Sequence, residues 1–327
     1  MFNALVLTQV EGKTQAHIQA LTTDDLPAGD VLIAVDYSSL NYKDGLAVTG
    51  TGKIIRDFPM VPGIDLAGSV LESNDARYKV GDQVIVTGWG VGERYWGGYA
   101  QQARVKADWL VSLPNGLSTQ QAMIIGTAGL TAMLCVMALQ DGGVQPDAGK
   151  VVVTGAAGGV GSITVLLLAQ LGYHVVAVTG RPDTHAYLSS LGAKEFLTRD
   201  AMLQAARPLE NQQWIGAVDV VGGSILSRVL AEMQYNGTVA ACGLANSFKL
   251  DTTVMPFILR NVRLQGVDSV SCPFTRRQQA WQRLAAELPA SAYTELSQVI
   301  ALAAVPEAAQ AIIEGKIQGR VLVDPNL

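Results

Sequence analysis

The sequence predicts an α/β protein of two domains, in which a doubly wound parallel sheet is joined to a mostly antiparallel β-barrel domain. A length of 327 residues favours two domains, since a domain has about 150 residues on average. Short β-branched runs separated by turn residues dominate the first third of the chain. From residue 150 onward, buried strands alternate with helices, which is typical of a parallel sheet with helices on both faces.

The first third of the chain carries the pattern of the β domain. Strands are predicted at three apolar runs, residues 31–37, 64–71 and 83–87. Ser118 and Gln121 then form the S-x-x-Q pattern of a helix N-terminus, and a periodic apolar run continues to Leu139. We expect one long helix here, which leads from the β domain into the α/β domain.

The same helix lies in a segment without charged residues between Asp108 and Asp141. The length and composition of this segment would also suit a membrane span. However, Pro114, Gly126 and Gly129 interrupt it, and neither end carries the basic residues that flank membrane helices. We therefore predict a buried helix and no membrane association.

The α/β domain is predicted from five short apolar strands with helix-compatible segments between them: residues 151–154, 174–179, 195–198, 217–221 and 238–242. The tail that follows offers two helices and a last strand, at residues 275–287, 306–315 and 319–323. It is too short for a third domain, so we expect it to complete the first. The predicted β-barrel domain therefore comprises residues 1–122 and 268–327, and the predicted α/β domain comprises residues 123–267.

The composition excludes several classes of function. A net charge of −5, with no cationic run longer than Arg276-Arg277, argues against nucleic acid as a partner. The three cysteines are far apart and form no disulfide framework, which fits a reducing compartment. The N-terminus has no basic region and no cleavage site, so it is predicted to be a first strand and not a signal peptide. We expect a soluble cytoplasmic protein.

The histidines give no sign of a metal site. His17, His174 and His185 do not cluster, and none is near a cysteine. A Cys/His zinc site therefore cannot be assembled from local spacing. We predict that the protein binds no metal.

The strongest local motif is a glycine-rich turn. A buried strand at residues 151–154 runs into Gly155-Ala-Ala157-Gly158-Gly159-Val160-Gly161, and a helix is predicted from residue 162 to 171. Glycines at such a turn allow the backbone to approach a pyrophosphate, whose charge is met by the free N–H groups of the helix N-terminus. An ordinary tight turn is the alternative, but the strands on either side favour a dinucleotide site.

The residues after the second strand indicate which dinucleotide is bound. An NAD site would place Asp or Glu there to accept a hydrogen bond from the ribose. This chain has Thr179-Gly180-Arg181 instead, and Arg199 follows the third strand. Guanidinium groups form charge-assisted bonds with a 2′-phosphate, so the pattern favours NADPH. A solvated loop cation is the alternative interpretation of Arg181.

A second polar segment lies between apolar strands, at Asn41-Tyr42-Lys43-Asp44. When a hydride adds to an enoyl thioester, negative charge develops on the carbonyl oxygen and the α-carbon then needs a proton. Donors such as Tyr42 and Lys43 suit that chemistry. The same four residues would equally suit a polar turn that caps a helix.

On these and further motifs the sequence resembles the medium-chain dehydrogenase/reductase superfamily, in particular its zinc-free quinone-oxidoreductase branch. The resemblance covers essentially the whole chain. Further motifs are Pro62-Gly-Ile-Asp65-Leu-Ala-Gly68, Gly81-Asp82-Gln-Val, Gly97-Gly-Tyr-Ala100, Gly126-Thr-Ala-Gly129 and Gly315-Lys-Ile-Gln-Gly-Arg320. Zinc-dependent relatives have Gly-His-Glu where this chain has Gly63-Ile64-Asp65. The resemblance implies a Rossmann cofactor domain and a GroES-like catalytic domain.

Within that branch, the segments around Trp89 and Trp96 and the segment from Thr253 to Ser269 look like the acryloyl-CoA reductases of the YhdH/AcuI group. The similarity implies reduction of acryloyl-CoA to propanoyl-CoA by NADPH, and a homodimer is plausible from the superfamily. It also implies that the following residues contact the cofactor: Tyr42, Thr127, Ala157, Gly158, Gly159, Val160, Thr179, Gly180, Arg181, Arg199, Leu244, Ile258, Ser269 and Asn326.

The working hypothesis places the nicotinamide against the substrate's β-carbon in a cleft that excludes water. Tyr42 or an ordered water then protonates the α-carbon. The diphosphate of CoA needs cations, and Lys53, Arg56 and Arg94 are candidates, although each could be a plain surface charge. Two rival functions remain open at this point: a quinone or alkenal reductase with the same cofactor motifs, and a non-catalytic NADPH-binding redox sensor.

Overall fold

The computed structural model describes the whole chain from Met1 to Leu327, apart from the side chain of Glu295. The described contacts form two compact units. The first unit comprises Met1–Thr127, Ser269–Ala285 and Pro289–Leu327, and the second comprises Ala128–Asp268 and Ala286–Leu288. The domain boundaries predicted from the sequence fall after residues 122 and 267, whereas the contacts divide the chain after Thr127 and Asp268.

The bounds of the regular elements follow in chain order. The strands are β1 Phe2–Val10, β2 Lys13–Leu21, β3 Val31–Leu40, β4 Asp65–Ser73, β5 Gln83–Thr87, β6 Gln102–Val105, β7 Val111–Ser112, β8 Lys150–Val153, β9 His174–Thr179, β10 Glu195–Thr198, β11 Trp214–Asp219, β12 Met233–Ala241, β13 Arg263–Gly266, β14 Ser297–Ala301 and β15 Arg320–Asp324. The α-helices are α1 Tyr42–Thr49, α2 Thr119–Asp141, α3 Gly159–Gln170, α4 His185–Ser190, α5 Arg199–Leu203, α6 Gly223–Ala231, α7 Met255–Arg260, α8 Phe274–Glu287, α9 Ala292–Glu295 and α10 Val305–Ile313. Short 3₁₀ helices lie at Thr23–Asp25, Ala107–Trp109, Pro182–Thr184 and Leu302–Ala304.

The first unit is built on a largely antiparallel sheet. Its strand order is β14-β15-β3-β4-β5-β7, with β6 also paired to β3, and β1 and β2 form a separate hairpin. The last strand of the chain lies antiparallel to β3, with Val321 opposite Leu40. The tail therefore completes the first unit, because its final strand extends the sheet formed by the N-terminal strands.

The second unit is a six-stranded sheet in which every neighbouring pair is parallel, in the order β10-β9-β8-β11-β12-β13. Its interior is apolar, with Val152, Val176 and Val239 each at most 1 % exposed. The order reverses at β8, whose two neighbours are β9 and β11, and such a switch point is where doubly wound sheets bind ligands. The predicted fold class is confirmed for both units.

Differences from the sequence-based expectation include one in the parallel sheet and one in the long helix. The sheet of the second unit has a sixth strand, β13, which was missed because this edge strand is mostly exposed and lacks an apolar run. The long helix α2 contains one residue with non-helical backbone angles, Gly126. The most apolar window of α2 is long enough to span a membrane, but 89 % of it is buried inside the protein, as in the core helix of a folded domain.

Candidate cofactor and catalytic sites

The glycine-rich turn of the second unit joins β8 to α3. Gly155 has a φ of +59°, and Gly158 is the N-cap of the helix. A Cβ built at Gly161 would lie 2.3 Å from the carbonyl oxygen of Gly155, so only glycine allows the helix to pack this closely on the turn. The first N–H groups of α3 have no partners within the helix and point toward any anion bound there. The turn therefore fits the pyrophosphate of a dinucleotide.

Two arginines border this turn on the side of β9 and β10. Arg181 follows β9 and donates from its guanidinium to the carbonyl of Ala157 at 3.4 Å. Arg199 begins α5 after β10, and its Cζ would lie 3.1 Å from a Cβ built at Gly180. Both guanidinium groups thus reach the carboxyl end of β9, where a dinucleotide-binding fold places the adenosine ribose. A 2′-phosphate would find two cations there.

A buried carboxylate stabilises the backbone at the switch point of the parallel sheet. Asp219, at the end of β11, accepts hydrogen bonds from the Thr154 hydroxyl at 2.7 Å and from the Gly222 N–H at 2.7 Å. Burial raises the pKa of Asp219, although these hydrogen bonds oppose the shift. Because Thr154 directly precedes Gly155, this pair anchors the start of the glycine-rich turn.

In the first unit, the polar segment at residues 41–44 caps a helix. Asn41 is the N-cap of α1, and its N–H donates to the Asp44 carboxylate at 2.9 Å. The second Asp44 oxygen accepts from the N–H of Ile64 at 2.9 Å. The helix-capping alternative is therefore correct for Asn41 and Asp44, both of which are buried. Tyr42, the first residue of α1, is 42 % exposed.

The amide of Asn41 also belongs to a network centred on Asp65, which is fully buried in β4. One oxygen of Asp65 accepts from Ser39 Oγ at 2.6 Å, from Asn41 Nδ2 at 2.8 Å and from the N–H of Thr127 at 2.8 Å. The other oxygen accepts from the Thr127 hydroxyl. Asp65 thus holds Thr127, one of the predicted cofactor contacts, against the start of α1.

Gly126 makes this network possible. Its backbone angles, φ 51° and ψ −159°, lie in a region that essentially only glycine adopts, and they interrupt α2 just before Thr127. A Cβ at Gly126 would lie 2.6 Å from an oxygen of Asp65 and 2.8 Å from Ser39 Oγ. The interruption therefore both frees the Thr127 N–H for Asp65 and removes the atoms that would clash with the network.

Arg320, the first residue of β15, ties the network to the rest of the first unit. Its buried guanidinium donates to the carbonyl of Ile124 at 2.9 Å and to the Asn41 side-chain oxygen at 3.2 Å. Because the amide oxygen of Asn41 faces Arg320, its nitrogen must face Asp65. Asp65 and Arg320 were not among the site residues predicted from the sequence. A charged residue inside an apolar strand was the available signal, since such residues are buried only when paired.

Lys43 has a partner of its own. Its ammonium group forms an ion pair with Glu93 at 2.9 Å, and both side chains are partly exposed. Of the two donors expected from the sequence, Lys43 is engaged in this ion pair, whereas Tyr42 is 42 % exposed.

Burial raises the pKa of Asp44 to about 7, and the nearby charge of Asp65 adds to the shift. In the unfolded chain the same carboxyl ionises near 3.8. Between these two values the folded protein binds the extra proton, so folding becomes less favourable as the pH rises through the window. We expect the free energy of unfolding to fall by up to about 1.4 kcal/mol per pH unit in this window and to level off above it.

Urea unfolding across the same pH window would measure this slope. Asp44→Asn should reduce it, because the variant has no carboxyl to titrate, and Asp24→Asn, at an exposed site, is the matched control. A slope that survives unchanged in Asp44→Asn would assign the effect to another group.

The remaining predicted residues are distributed over both units. In the second unit, Leu244 and Ile258 are 65 % and 72 % exposed. In the first unit, Ser269 precedes α8, and Asn326 donates to the carbonyl of Val35 at 3.1 Å. The candidate CoA cations Lys53, Arg56 and Arg94 are exposed. Within the described part of the chain, no group of three or more His, Cys, Asp or Glu side chains is arranged to hold a metal ion.

Comparison with known proteins matches both units to families. The alcohol dehydrogenase GroES-like domain family matches residues 27–115, and the zinc-binding dehydrogenase family matches residues 159–288. The chain belongs to the medium-chain dehydrogenase/reductase superfamily. The resemblance noted in the sequence motifs is thereby confirmed, and the GroES-like and Rossmann parts of this medium-chain dehydrogenase/reductase correspond to the first and second units.

Two curated relatives of this medium-chain dehydrogenase/reductase are similar over their full lengths. The probable acrylyl-CoA reductase AcuI of Escherichia coli is 62 % identical over 323 residues, which cover 99 % of both chains. The acrylyl-CoA reductase AcuI of Ruegeria pomeroyi is 54 % identical over 329 residues, which cover 100 % of both chains.

Two solved structures share the fold closely. The structure of E. coli YhdH with bound NADPH has a TM-score of 0.97 at 62 % identity and covers 98 % of this chain and 99 % of its own. The structure of Bacillus subtilis YhfP with NAD bound has a TM-score of 0.96 at 44 % identity and covers 99 % of both chains. Relatives in this part of the superfamily have therefore been observed with either nucleotide.

Proposed function

We propose that this protein is an NADPH-dependent acryloyl-CoA reductase that converts acryloyl-CoA to propanoyl-CoA. The observation that carries the proposal is the full-length identity of 62 % with a probable acrylyl-CoA reductase and of 54 % with an acrylyl-CoA reductase. In this proposal Tyr42, at the start of α1, and the glycine-rich turn would be the two kinds of site that such a reaction needs, a substrate-side donor and a dinucleotide cradle.

The cofactor would be held mainly by the second unit. The turn from Gly155 to Gly161 would take the pyrophosphate, and Thr179, Gly180, Arg181 and Arg199 would surround the adenosine ribose and its 2′-phosphate. These residues fit NADPH for two reasons. Gly161 has no Cβ that would clash with the turn, and both guanidinium groups reach the carboxyl end of β9. Leu244 and Ile258 of the second unit, and Tyr42, Thr127, Ser269 and Asn326 of the first, would provide further contacts.

The bound nicotinamide supplies a hydride for the β-carbon of the thioester, and the protein must supply a proton for the α-carbon. Tyr42 is partly exposed at a helix start that Asn41 and Asp44 hold in place. We assign the proton donor to Tyr42, directly or through an ordered water. In this scheme Asn41 and Asp44 are positioning residues, because they hold the helix start that carries Tyr42. Lys43 forms the ion pair with Glu93 and is not the proton donor.

The rival with the same cofactor motifs is a quinone or alkenal reductase. Measuring NADPH oxidation with acryloyl-CoA, crotonyl-CoA, a quinone and a free enal would separate the candidates. We expect the highest kcat/KM with acryloyl-CoA. A higher value with the quinone or the enal would overturn the proposed substrate, and tight NADPH binding without turnover of any electrophilic alkene would indicate the redox sensor.

Replacing Arg181 by Ala should reduce the preference for NADPH over NADH about tenfold or more, since a charge-assisted hydrogen bond contributes roughly 1.5–3 kcal/mol. The ratio of the two dissociation constants measures the effect directly. Arg207→Ala is the matched control, because Arg207 is an exposed arginine of the same unit that pairs with Glu210. A preference that stays unchanged in Arg181→Ala would remove this residue from the phosphate site.

We further propose that the protein acts in the cytoplasm as a homodimer and that neither nucleic acid nor membrane is a partner. Strand β13 leaves one edge of the parallel sheet available, and Phe248, Val254 and Leu259 nearby in sequence are 57 % to 80 % exposed. A second copy of the chain would cover both the edge and these apolar side chains. Light scattering should give twice the mass of the chain, and Phe248→Lys should lower that mass; a monomeric wild-type protein would overturn this assignment.

A further inference from the structure

The first unit carries a partly exposed pair of aromatic rings with a cation over them. Tyr95 and Trp109 have ring centroids 4.7 Å apart, with an angle of 50° between the ring planes. The ammonium group of Lys106 lies 5.7 Å from the Tyr95 centroid and 5.5 Å from the Trp109 centroid. Tyr95 remains 43 % exposed. We call these three residues the Tyr95 shelf.

The shelf is held in place without being covered. The N–H of Tyr95 donates to the carbonyl of Gly90 at 3.0 Å, and its own carbonyl accepts from the N–H of Gly92 at 2.7 Å. Trp109 ends a short 3₁₀ helix and packs one side against the core of the first unit. Rings fixed in this way lose little conformational entropy when a ligand stacks on them.

The charges around the shelf favour an anionic ligand. The two carboxylates next to it in sequence are paired with cations: Glu93 with Lys43 at 2.9 Å, and Asp108 with Arg77 at 2.6 Å, which also pairs with Asp75 at 2.8 Å. Lys106 and Arg94 are both exposed, and each lies within three residues of one of the two aromatic residues in the sequence. The four cations Lys43, Arg77, Arg94 and Lys106 thus outnumber the three carboxylates by one positive charge.

The shelf is also connected to the start of α1. Glu93 pairs with Lys43, the residue after Tyr42, and Tyr95 follows Glu93 by two residues, a span of at most about 7 Å of chain. A flat aromatic and anionic group at the shelf could therefore belong to a molecule whose reactive end lies near Tyr42, provided that a long flexible arm joins the two ends. Coenzyme A has this construction.

We propose that the Tyr95 shelf binds the 3′-phosphoadenosine end of coenzyme A. The adenine stacks on the exposed part of the Tyr95 ring, and a phosphate group accepts hydrogen bonds from Lys106. This inference rests on the proposed function, because it names the site that distinguishes a CoA thioester from a simple one. Such a shelf explains how an enzyme could prefer the CoA ester although the acryloyl group itself offers few contacts.

The test compares acryloyl-CoA with S-acryloyl-N-acetylcysteamine, which has the same reactive group but no nucleotide. Tyr95→Ala and Lys106→Gln should each lower kcat/KM for acryloyl-CoA roughly ten- to a hundredfold, mainly through KM, as expected for the loss of one stacked base or one phosphate contact. The ratio of kcat/KM for acryloyl-CoA to kcat/KM for the short thioester should fall by the same factor. Tyr95→Phe, which keeps the aromatic ring, should have the wild-type ratio. Tyr235→Ala and Lys13→Gln, at exposed sites elsewhere, are the matched controls.

A binding measurement separates failure of the shelf from failure of the proposed function. Adenosine 3′,5′-bisphosphate is titrated into protein saturated with NADP⁺, which keeps the probe out of the dinucleotide site. Binding that Tyr95→Ala weakens tenfold or more supports the shelf, even if neither thioester is reduced and the proposed reaction is wrong. Binding that is absent, or equal in wild type and Tyr95→Ala, overturns the shelf, as does an unchanged ratio of the two thioesters.

Discussion

Turnover of acryloyl-CoA should fall by about 10²–10⁴-fold when Tyr42 is replaced by Phe, which is the usual contribution of a positioned general acid. The substitution removes one hydroxyl and keeps the ring, so the helix cap formed by Asn41 and Asp44 should persist. NADPH affinity should stay largely intact, because the cradle and the two arginines of the second unit are untouched. Stopped-flow kinetics together with a fluorescence titration of NADPH would measure both quantities.

A control variant and a contradicting outcome test the assignment of the proton donor to Tyr42. Tyr235→Phe, which removes a hydroxyl from a 60 % exposed tyrosine of the second unit, should leave turnover unchanged. If Tyr42→Phe also turns over at the wild-type rate, then Tyr42 donates no proton and a water or another group must do so.

The second large effect is expected on stability. Gly126→Ala forces a side chain into backbone angles that disfavour it and places its Cβ within 2.8 Å of Asp65, Ser39 and Arg320. Strain and overpacking each cost roughly 1–3 kcal/mol, so the variant should lose about 2–6 kcal/mol of unfolding free energy. Urea unfolding of the purified protein would measure the loss.

Gly116→Ala separates the two contributions to that loss. Gly116 also has a positive φ, of 90°, but a Cβ built there meets no atom within 4 Å. Its substitution should cost only about 1–2 kcal/mol, the penalty of left-handed backbone alone. Equal losses in the two variants would mean that the polar network around Asp65 yields easily to an added methyl group.

Much of the fold could be predicted because its elements follow local rules. Strands β5 and β9 have the predicted bounds, since each is a short apolar run ended by turn residues. The helix after the glycine-rich turn begins three residues earlier than expected, because the glycines themselves form its first turn. The break at Gly126 could not be predicted from periodicity, since the apolar pattern of α2 continues through it.

The sites were predicted unevenly for a similar reason. Contiguous motifs, such as residues 155–161 and 41–44, can be recognised within one stretch of sequence. Asp65, Thr127 and Arg320 come from three distant segments, and only the folded sheet brings them to one point. The motifs that contain these three residues could be found in the sequence, but their pairing could not, because hydrogen-bond partners across strands depend on register and not on spacing.

The position of Arg320 has a consequence for how the protein is made. A nascent chain emerges from the ribosome N-terminus first. The partners of Arg320 at Leu40, Asn41 and Ile124 are therefore synthesised long before the arginine itself. Until residues 320–324 have been translated, β3 lacks its neighbour β15 and the amide of Asn41 lacks its anchor. A premature stop codon at position 320 should thus remove both contacts, although 319 residues precede it.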